Sequence, residues 1–174
     1  MKHDRAIIMG FRQPTSLPLE NTVPITWTSD LDTGIAVIDQ QHMRIVDYIN
    51  QMEHAQQKQD RGLVGRVLDE LVDYTLSHFA FEESLQEEAG YPYLKPHRKV
   101  HELFVRRVNE YRERFSRGEE IAEEIHTLLS AWLINHIKRD DADYVGAVRP
   151  RMVALVSDQR KEGWLARSLG RFFR

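Results

Sequence analysis

The fold is decided by residues 78–101, HFAFEESLQEEAGYPYLKPHRKVH, which carry two pairs of metal-binding side chains. His78 and Glu82 are four residues apart, as are His97 and His101, and residues at that spacing share one face of a helix. Gly90 and Pro92, between the two pairs, predict a short turn, so two helices can direct four ligands into one space. Imidazole together with carboxylate suits zinc or iron better than magnesium or calcium. The stretch therefore predicts a metal site between two helices.

Hydrophobic periodicity predicts a bundle of four helices around this stretch. Steps of three and four separate the apolar positions of four segments, which cover about residues 38–57, 63–88, 97–117 and 119–148. Pro150 is expected to end the last helix, because proline breaks the hydrogen bonding of a helix interior. The connections are short and no segment shows the alternation typical of strands. We therefore predict an all-α fold, an up-down-up-down antiparallel four-helix bundle.

The sequence divides into three parts. Residues 1–26 contain three prolines and no periodicity, which predicts an N-terminal extended arm. Residues 27–148 form the bundle. Residues 149–174 carry seven Lys/Arg and two Asp/Glu, a net charge of +5, so the other 148 residues carry −8 for a total of −3. Within this tail, residues 163–174 project apolar side chains to one side and arginines to the other, which predicts a C-terminal extra helix that is basic and amphipathic.

The tail has two interpretations. Its helix folds back over the bundle, or it docks to an anionic membrane surface or an acidic protein partner. Nucleic-acid binding is not expected, because the bundle is acidic and only the tail is basic. No run approaches the roughly 20 apolar residues of a membrane span, and the N-terminal residues lack the apolar core, of about 7–15 residues, of a signal peptide. A cytoplasmic protein is therefore expected.

Histidines supply most of the candidate ligands, and without cysteine any metal is held by nitrogen and oxygen. Five of the eight histidines lie on apolar stripes, whereas His3, His54 and His126 do not. A single histidine on an apolar stripe is more often a hydrogen-bonded core residue than a ligand. A bundle would not bury five, at about 1–3 kcal/mol for each unpaired polar group, without a shared partner. We therefore interpret as metal ligands His42, His78, Glu82, His97, His101 and His136.

Spacing leaves the last carboxylate open, because His136 is followed by both Asp140 and Asp141. At roughly 100° per residue, Asp140 lies about 40° from His136 and Asp141 about 140°. An ideal α-helix therefore favours Asp140. Asp141 requires a wider turn or a side chain that reaches in from the flank.

A set of residues in a fixed order along the chain carries a family resemblance: Trp27, Gly34, Ile38, Asp39, His42, Asn50, His78, Phe79, Glu82, Glu83, Tyr91, Pro92, His97, His101, Trp132, Leu133, His136, Ile137, Asp141 and Tyr144. Over about residues 24–147, and through these residues, the chain resembles the hemerythrin and bacteriohemerythrin family of oxygen-binding di-iron proteins. The family pattern places the last carboxylate five residues after the histidine, with a tyrosine three residues further on. The resemblance therefore implies Asp141 as the seventh ligand.

The resemblance also implies the cofactor, two Fe ions (Fe2+/Fe3+) with a bridging oxo or hydroxo group. One iron would be bound by His97, His101 and His136, and the second by His42 and His78. Glu82 and Asp141 would each bridge the two irons. These ligands fill all but one of the positions of two six-coordinate irons, and an open position is typical of a reactive metal site. Dioxygen would bind there as a hydroperoxide that takes its proton from the bridging hydroxide.

Reversible binding of dioxygen, in an oxygen carrier, store or sensor, is the function that this ligand set favours. Five histidines against two carboxylates place little anionic charge on the irons, which favours binding over oxygen activation. The alternative is a di-iron redox enzyme acting on peroxide or nitric oxide, and a third possibility is a structural zinc site. An apolar lining would keep water from the bound oxygen, and the candidate oxygen pocket is formed by Trp132, Leu133 and Ile137.

Three other side chains near the ligands have expected structural roles. Tyr74, one turn before His78, is expected to pack at the bundle edge. Asp39 is expected to be a structural hydrogen-bond acceptor or a helix N-terminal residue. Glu83 is expected to be solvated, or at most to touch a ligand from outside.

Overall fold

Five long helices make up most of the computed structural model, which describes residues 24–157, 167 and 169–173. A short 3-10 turn, Ser29–Leu31, precedes them, and a π-helical turn, His136–Asp141, joins the last two. The helices are α1 (Ala36–Gln57), α2 (Arg61–Glu88), α3 (Leu94–Ser116), α4 (Ala122–Asn135) and α5 (Ala142–Ser157). Helix α1 packs against α2 and α4, and α2 packs against α3. The predicted all-α four-helix bundle is confirmed, with α5 continuing α4 through the π turn.

The turns that separate the helices follow local chemistry. Asp60 caps α2, since its side chain accepts a hydrogen bond of 2.8 Å from the Leu63 amide. Gly90 takes a φ of +70° just after α2, a conformation that glycine adopts without strain. Helix α3 begins at Leu94, three residues before the predicted start, and includes Pro96 in its first turn. Proline is tolerated there because the first amides of a helix have no intrahelical acceptor.

The prediction that Pro150 ends the last helix is wrong. Helix α5 runs through Pro150 to Ser157. Packing on both sides holds the helix across the missing hydrogen bond: Val148 is buried before the proline, and Arg151 donates a 2.7 Å hydrogen bond to Glu88 after it. Tertiary contacts therefore outweigh the local cost of the proline.

A second expectation about α4 is also wrong, because His126 is buried. The buried side of α4 carries Ala122, Ile125, His126, Leu129 and Leu133. The apolar stripe predicted for this segment shares Ile125, Leu129 and Leu133 with that side, but it also includes Leu128 and Trp132, which are only partly buried, and omits His126. The contact with α1 decides which side of α4 is covered.

Two apolar clusters form the core. The larger cluster fills the bundle. The smaller one, here called the lower cluster, consists of buried side chains of α1, α2 and α5 and of the residue before α1: Ile35, Ile38, Phe81, Leu85, Tyr144 and Val148. From the tail, Leu169, Phe172 and Phe173 pack against the lower cluster.

The tail is helical where it is described, at residue 167 and over residues 169–172. The Phe173 amide donates a 2.9 Å hydrogen bond to the Leu169 carbonyl. This part of the tail matches the interpretation in which the helix folds back over the bundle. The rest of the predicted tail helix and residues 1–23 of the predicted arm lie outside the described residues. Among the described helices, none is both long and apolar enough to cross a membrane.

Hydrogen bonds from two polar side chains hold the loop before α1 in place. Asn50 pairs with the Ile25 backbone, accepting from its amide at 2.9 Å and donating to its carbonyl at 3.0 Å. Asp39 accepts hydrogen bonds from the Thr33 amide at 2.8 Å, the Thr33 hydroxyl at 2.7 Å and the Gly34 amide at 3.1 Å. Asp39 is therefore a structural acceptor, as expected.

Replacing Gly34 with alanine is expected to lower the free energy of unfolding by about 1–3 kcal/mol. Gly34 has a φ of +72°, and a Cβ there would lie 2.5 Å from the Arg149 Nη2 atom. Arg149 donates a hydrogen bond to the Thr33 carbonyl, which the added carbon would disturb. Urea unfolding monitored by circular dichroism measures the loss. The control is Gly146→Ala in α5, where a Cβ meets no atom within 4 Å; it should stabilise by about 0.5–1 kcal/mol, and equal losses would contradict the argument.

Candidate metal centre

The fold brings all seven predicted ligands together in the interior. Helix α1 supplies one histidine, α2 a histidine and a glutamate, α3 two histidines, and the π turn a histidine and an aspartate. Their side chains are buried, and none exposes more than 5% of its surface. The seven residues are His42, His78, Glu82, His97, His101, His136 and Asp141.

Six of these residues form two groups that share one carboxylate. In the first group, ligand atoms of Glu82, His97, His101 and His136 all lie within 4.8 Å of one another. In the second, atoms of His42, His78 and Glu82 do so. Glu82 directs Oε1 to His97 Nε2 at 2.6 Å and Oε2 to His78 Nε2 at 3.4 Å. One carboxylate therefore faces two neighbouring positions at which a cation can be held.

Asp141 also spans the two groups. Its Oδ2 lies 3.3 Å from His42 Nε2, and its Oδ1 lies 3.1 Å from His136 Nε2 and 3.9 Å from His97 Nε2. Glu82 and Asp141 are both fully buried. Two shared carboxylates and five imidazoles are thus arranged around a pair of sites, with three histidines at one and two at the other.

The π turn explains how Asp141 reaches this position. A π-helical turn closes its hydrogen bonds over five residues instead of four, so residues five apart share a face. His136 begins the turn and Asp141 ends it. Asp140 lies on the other edge of the same imidazole, where its Oδ2 accepts a 3.0 Å hydrogen bond from His136 Nδ1. The ideal-helix argument for Asp140 fails because this turn is wider than an α-helical one.

Hydrogen bonds on the outer edges fix how three of the histidines face the site. His78 Nδ1 is 2.9 Å from Gln41 Oε1, and His101 Nδ1 is 2.7 Å from Glu83 Oε1. Asp140 holds His136 in the same way. In the neutral form of each imidazole the outer nitrogen donates its proton, so Nε2 presents a lone pair to the interior. Such outer partners orient metal-bound histidines and raise their basicity.

The nitrogen and oxygen atoms that face the interior are better placed to bind a cation than to hydrogen-bond with one another. Within the described residues, no hydrogen bond is made by four buried atoms at the site: His42 Nε2, His78 Nε2, Glu82 Oε2 and Asp141 Oδ2. His101 Nε2 and His136 Nε2 lie 3.1 Å apart. Two nitrogens bound at right angles to one metal, at about 2.1 Å each, would be about 3.0 Å apart. The donor set therefore fits a pair of N,O-liganded metal ions.

Burial and the carboxylates act on the histidine pKa values in opposite directions. Burial lowers the pKa of His42 and holds that of His78 well below its usual value. Burial also opposes the protonation of His136. The negative charge of Asp141 and the hydrogen bonds to Asp140 and Asp141 outweigh this effect and raise the pKa of His136 to about 10. In the metal-free protein a proton therefore occupies His136, and a bound cation would replace it.

Sequence comparison gives the family. The hemerythrin HHE cation binding domain matches residues 33–148, about two thirds of the chain. The chain belongs to the hemerythrin family. It is 56% identical to the bacteriohemerythrin of Pseudomonas aeruginosa over 149 residues, which cover 86% of this chain and 97% of the relative. The bacteriohemerythrin of Stenotrophomonas maltophilia is 51% identical with the same coverage.

Solved structures agree with the hemerythrin fold. A wild-type hemerythrin crystal structure superposes with a TM-score of 0.69 at 28% identity, covering 72% of this chain and 98% of that one. A variant of that protein with a leucine replaced by alanine gives a TM-score of 0.68, also at 28% identity, and covers 71% of this chain and 96% of that one. The described helical core of this chain therefore has the hemerythrin fold.

Aromatic rings cover the hemerythrin-type site on several sides. Trp132 stacks on His136, with ring centroids 4.3 Å apart, so it covers the three-histidine side. Phe79 stacks on His101 at 3.7 Å. Trp27 lies over His42 at 6.3 Å, on the two-histidine side. Of the other predicted pocket residues, Leu133 and Ile137 are buried in the main core.

The outer hydrogen-bond partners were the residues that sequence reasoning mostly missed. Gln41 directly precedes His42 but bonds to His78 across the helix interface, which periodicity within one helix cannot show. Gln86 donates a 2.7 Å hydrogen bond to Glu82 Oε1 from one turn further along α2, a spacing that could have indicated it. Glu83 contacts the outer nitrogen of His101, which agrees with the expectation that it would at most touch a ligand from outside. Tyr74 packs against Tyr48 and Phe173, as expected of a bundle-edge residue.

Proposed function

We propose that this hemerythrin-family chain binds dioxygen reversibly at two iron ions, as an oxygen carrier, store or sensor. One observation carries the proposal: two ligand groups share Glu82 and are also spanned by Asp141. A pair of metal ions held by two common carboxylates is the arrangement to which these distances correspond. Nitrogen donors outnumber the carboxylates, which favours iron over the hard cations that prefer all-oxygen sites.

The two metal positions differ in the number of histidines that they offer. His97, His101 and His136 would hold one ion, and His42 and His78 the other, with Glu82 and Asp141 shared. The second position therefore has one protein ligand fewer and can accept an external molecule. When bound, the iron pair supplies the electrons for the reversible capture of dioxygen at that open position.

The residues around the ligands orient them and exclude water. Gln41, Glu83 and Asp140 fix the inward-facing nitrogens through the outer edges of three imidazoles. Trp27 shields His42 on the side where the open position is proposed. Leu133 and Ile137 are buried apolar residues of the larger core cluster, and we propose that they line the oxygen pocket. An apolar, dry pocket favours release of dioxygen as dioxygen, because water and protons would otherwise promote irreversible oxidation.

Iron content and the visible spectrum of the full chain test the proposal together. Two irons per chain are expected, with a charge-transfer band that appears when oxygen is admitted to the reduced protein and disappears when oxygen is removed. Two irons without a recoverable band, together with turnover of peroxide or nitric oxide, would establish the alternative of a di-iron redox enzyme. Zinc in place of iron in protein from iron-supplemented cells would overturn the proposal in favour of a structural metal site.

A further inference from the structure

The described part of the C-terminal tail makes aromatic contacts with the bundle. The Phe172 ring lies edge-on to Phe81, with centroids 6.2 Å apart, and the Phe173 ring does the same at 5.8 Å. Phe173 also contacts Tyr74, at 5.3 Å. Leu169 packs against the same cluster one turn earlier. The apolar side chains of residues 169–173 are therefore packed against the bundle.

The surface that the tail covers lies directly behind the ligands. Phe81 precedes Glu82 in α2, and Tyr74 is one turn before His78. In the lower cluster, Ile38 is one turn before His42 and Tyr144 is three residues after Asp141. These cluster residues form an apolar layer beside the ligand-bearing turns, and the ring centroid of Tyr144 lies 5.6 Å from that of the ligand His97. Phe81, Ile38 and Tyr144 have no exposed surface with the tail in place.

We propose that Phe172 and Phe173 seal the metal centre from water at this end of the bundle. The inference rests on the proposed function, which requires a dry site. Phe172 and Phe173 are themselves only partly buried, so they form the outermost apolar layer over Phe81. Removing the two rings would expose the layer that contacts the ligand-bearing turns of α1 and α2. Water would then reach the site more often, through local openings that the rings now suppress.

The same contacts favour the first of the two interpretations of the tail, in which it folds back over the bundle. A membrane-bound amphipathic helix buries its apolar side in the lipid, and here that side contacts the lower cluster. Arg167 and Arg171 are exposed, so the basic side faces solvent. The tail therefore cannot insert into lipid and cover Phe81 at the same time.

The test compares the double variant Phe172→Ala/Phe173→Ala with the exposed control Arg167→Ala in the full chain. Hydrogen–deuterium exchange is measured for the amides around Ile38 and Phe81, with and without iron. The double variant should exchange roughly tenfold faster there, while the control stays at the wild-type rate. In oxygenated protein, irreversible oxidation should also accelerate several-fold in the double variant only. A second variant, Phe172→Leu/Phe173→Leu, keeps apolar cover and should retain most of the protection even if the alanine variant folds poorly.

Unchanged exchange at Ile38 and Phe81 in both double variants would overturn the seal. Cosedimentation of the wild-type chain with phosphatidylserine-containing vesicles, accompanied by loss of protection at Phe81, would overturn it in favour of a membrane anchor. If the wild-type protein forms no oxygenated species, the proposed function fails while the exchange comparison still decides the seal. The two failures are therefore distinguishable.

Discussion

Replacing Glu82 with glutamine is expected to reduce the iron content from two ions per chain to none. Glu82 is the residue common to both ligand groups, and its two oxygens face histidines of both. An amide has one oxygen and no charge, so it cannot bridge two cations as a carboxylate does. Because both positions share this ligand, its loss should weaken metal binding at both positions at once. Metal analysis after purification with added iron measures the effect.

Glu87→Gln is the matched control for Glu82→Gln. Glu87 lies on the same helix, exposes most of its side chain and pairs with Arg98 at 3.1 Å, outside the site. The control should retain two irons, and far-UV circular dichroism should show the same helix content in both variants. A Glu82→Gln protein that folds and retains both irons would show that this carboxylate is not a shared ligand.

Asp141→Asn and Asp140→Asn are expected to differ sharply although the residues are neighbours. Asp141 faces ligand nitrogens of both groups, so its loss should remove iron to below one ion per chain. Asp140 contacts only the outer nitrogen of His136 among the ligands. Its loss should leave two irons that bind about 10–100-fold more weakly, which is the usual cost of removing an outer partner of a metal ligand.

Competition with a chelator of known iron affinity measures this difference. An asparagine at position 140 can still accept a hydrogen bond from His136 but carries no charge. The comparison therefore isolates the electrostatic part of the support that Asp140 gives. Equal iron loss in the two variants, or greater loss in Asp140→Asn, would mean that the π turn does not direct Asp141 to the metals in solution.

Much of the site was predictable because helical periodicity is a property of the sequence. The pairs His78/Glu82 and His97/His101 each share a helix face at a spacing of four, whatever surrounds them. The apolar stripes that contain them predict which face is buried, and the structure places all four residues inside. Asp141 was different. Its position depends on one wider turn, and an ideal helical projection assigned the inward position to Asp140.

The remaining differences have a common cause. Pro150 was expected to end a helix, yet contacts made by Val148 and Arg151 keep that helix intact. His126 lay off the predicted stripe, yet the packing of α4 buries it. Gln41 supports His78 from another helix. In each case a contact between elements outweighs a local preference of the chain.

The sequence by itself determined four amphipathic helices, the histidine-rich set of candidate ligands and the resemblance to hemerythrins. Each of these depends only on the spacing of residues along one helix or on a linear motif. Only the tertiary structure showed how a π turn places Asp141 among the candidate ligands, which outer residues hold the imidazoles, and where Phe172 and Phe173 pack. Those features depend on distances between helices and on the hydrogen bonding of a single turn. A periodic pattern determines the direction in which a side chain points from the axis of its own helix. The packing of the helices determines which residues that side chain contacts.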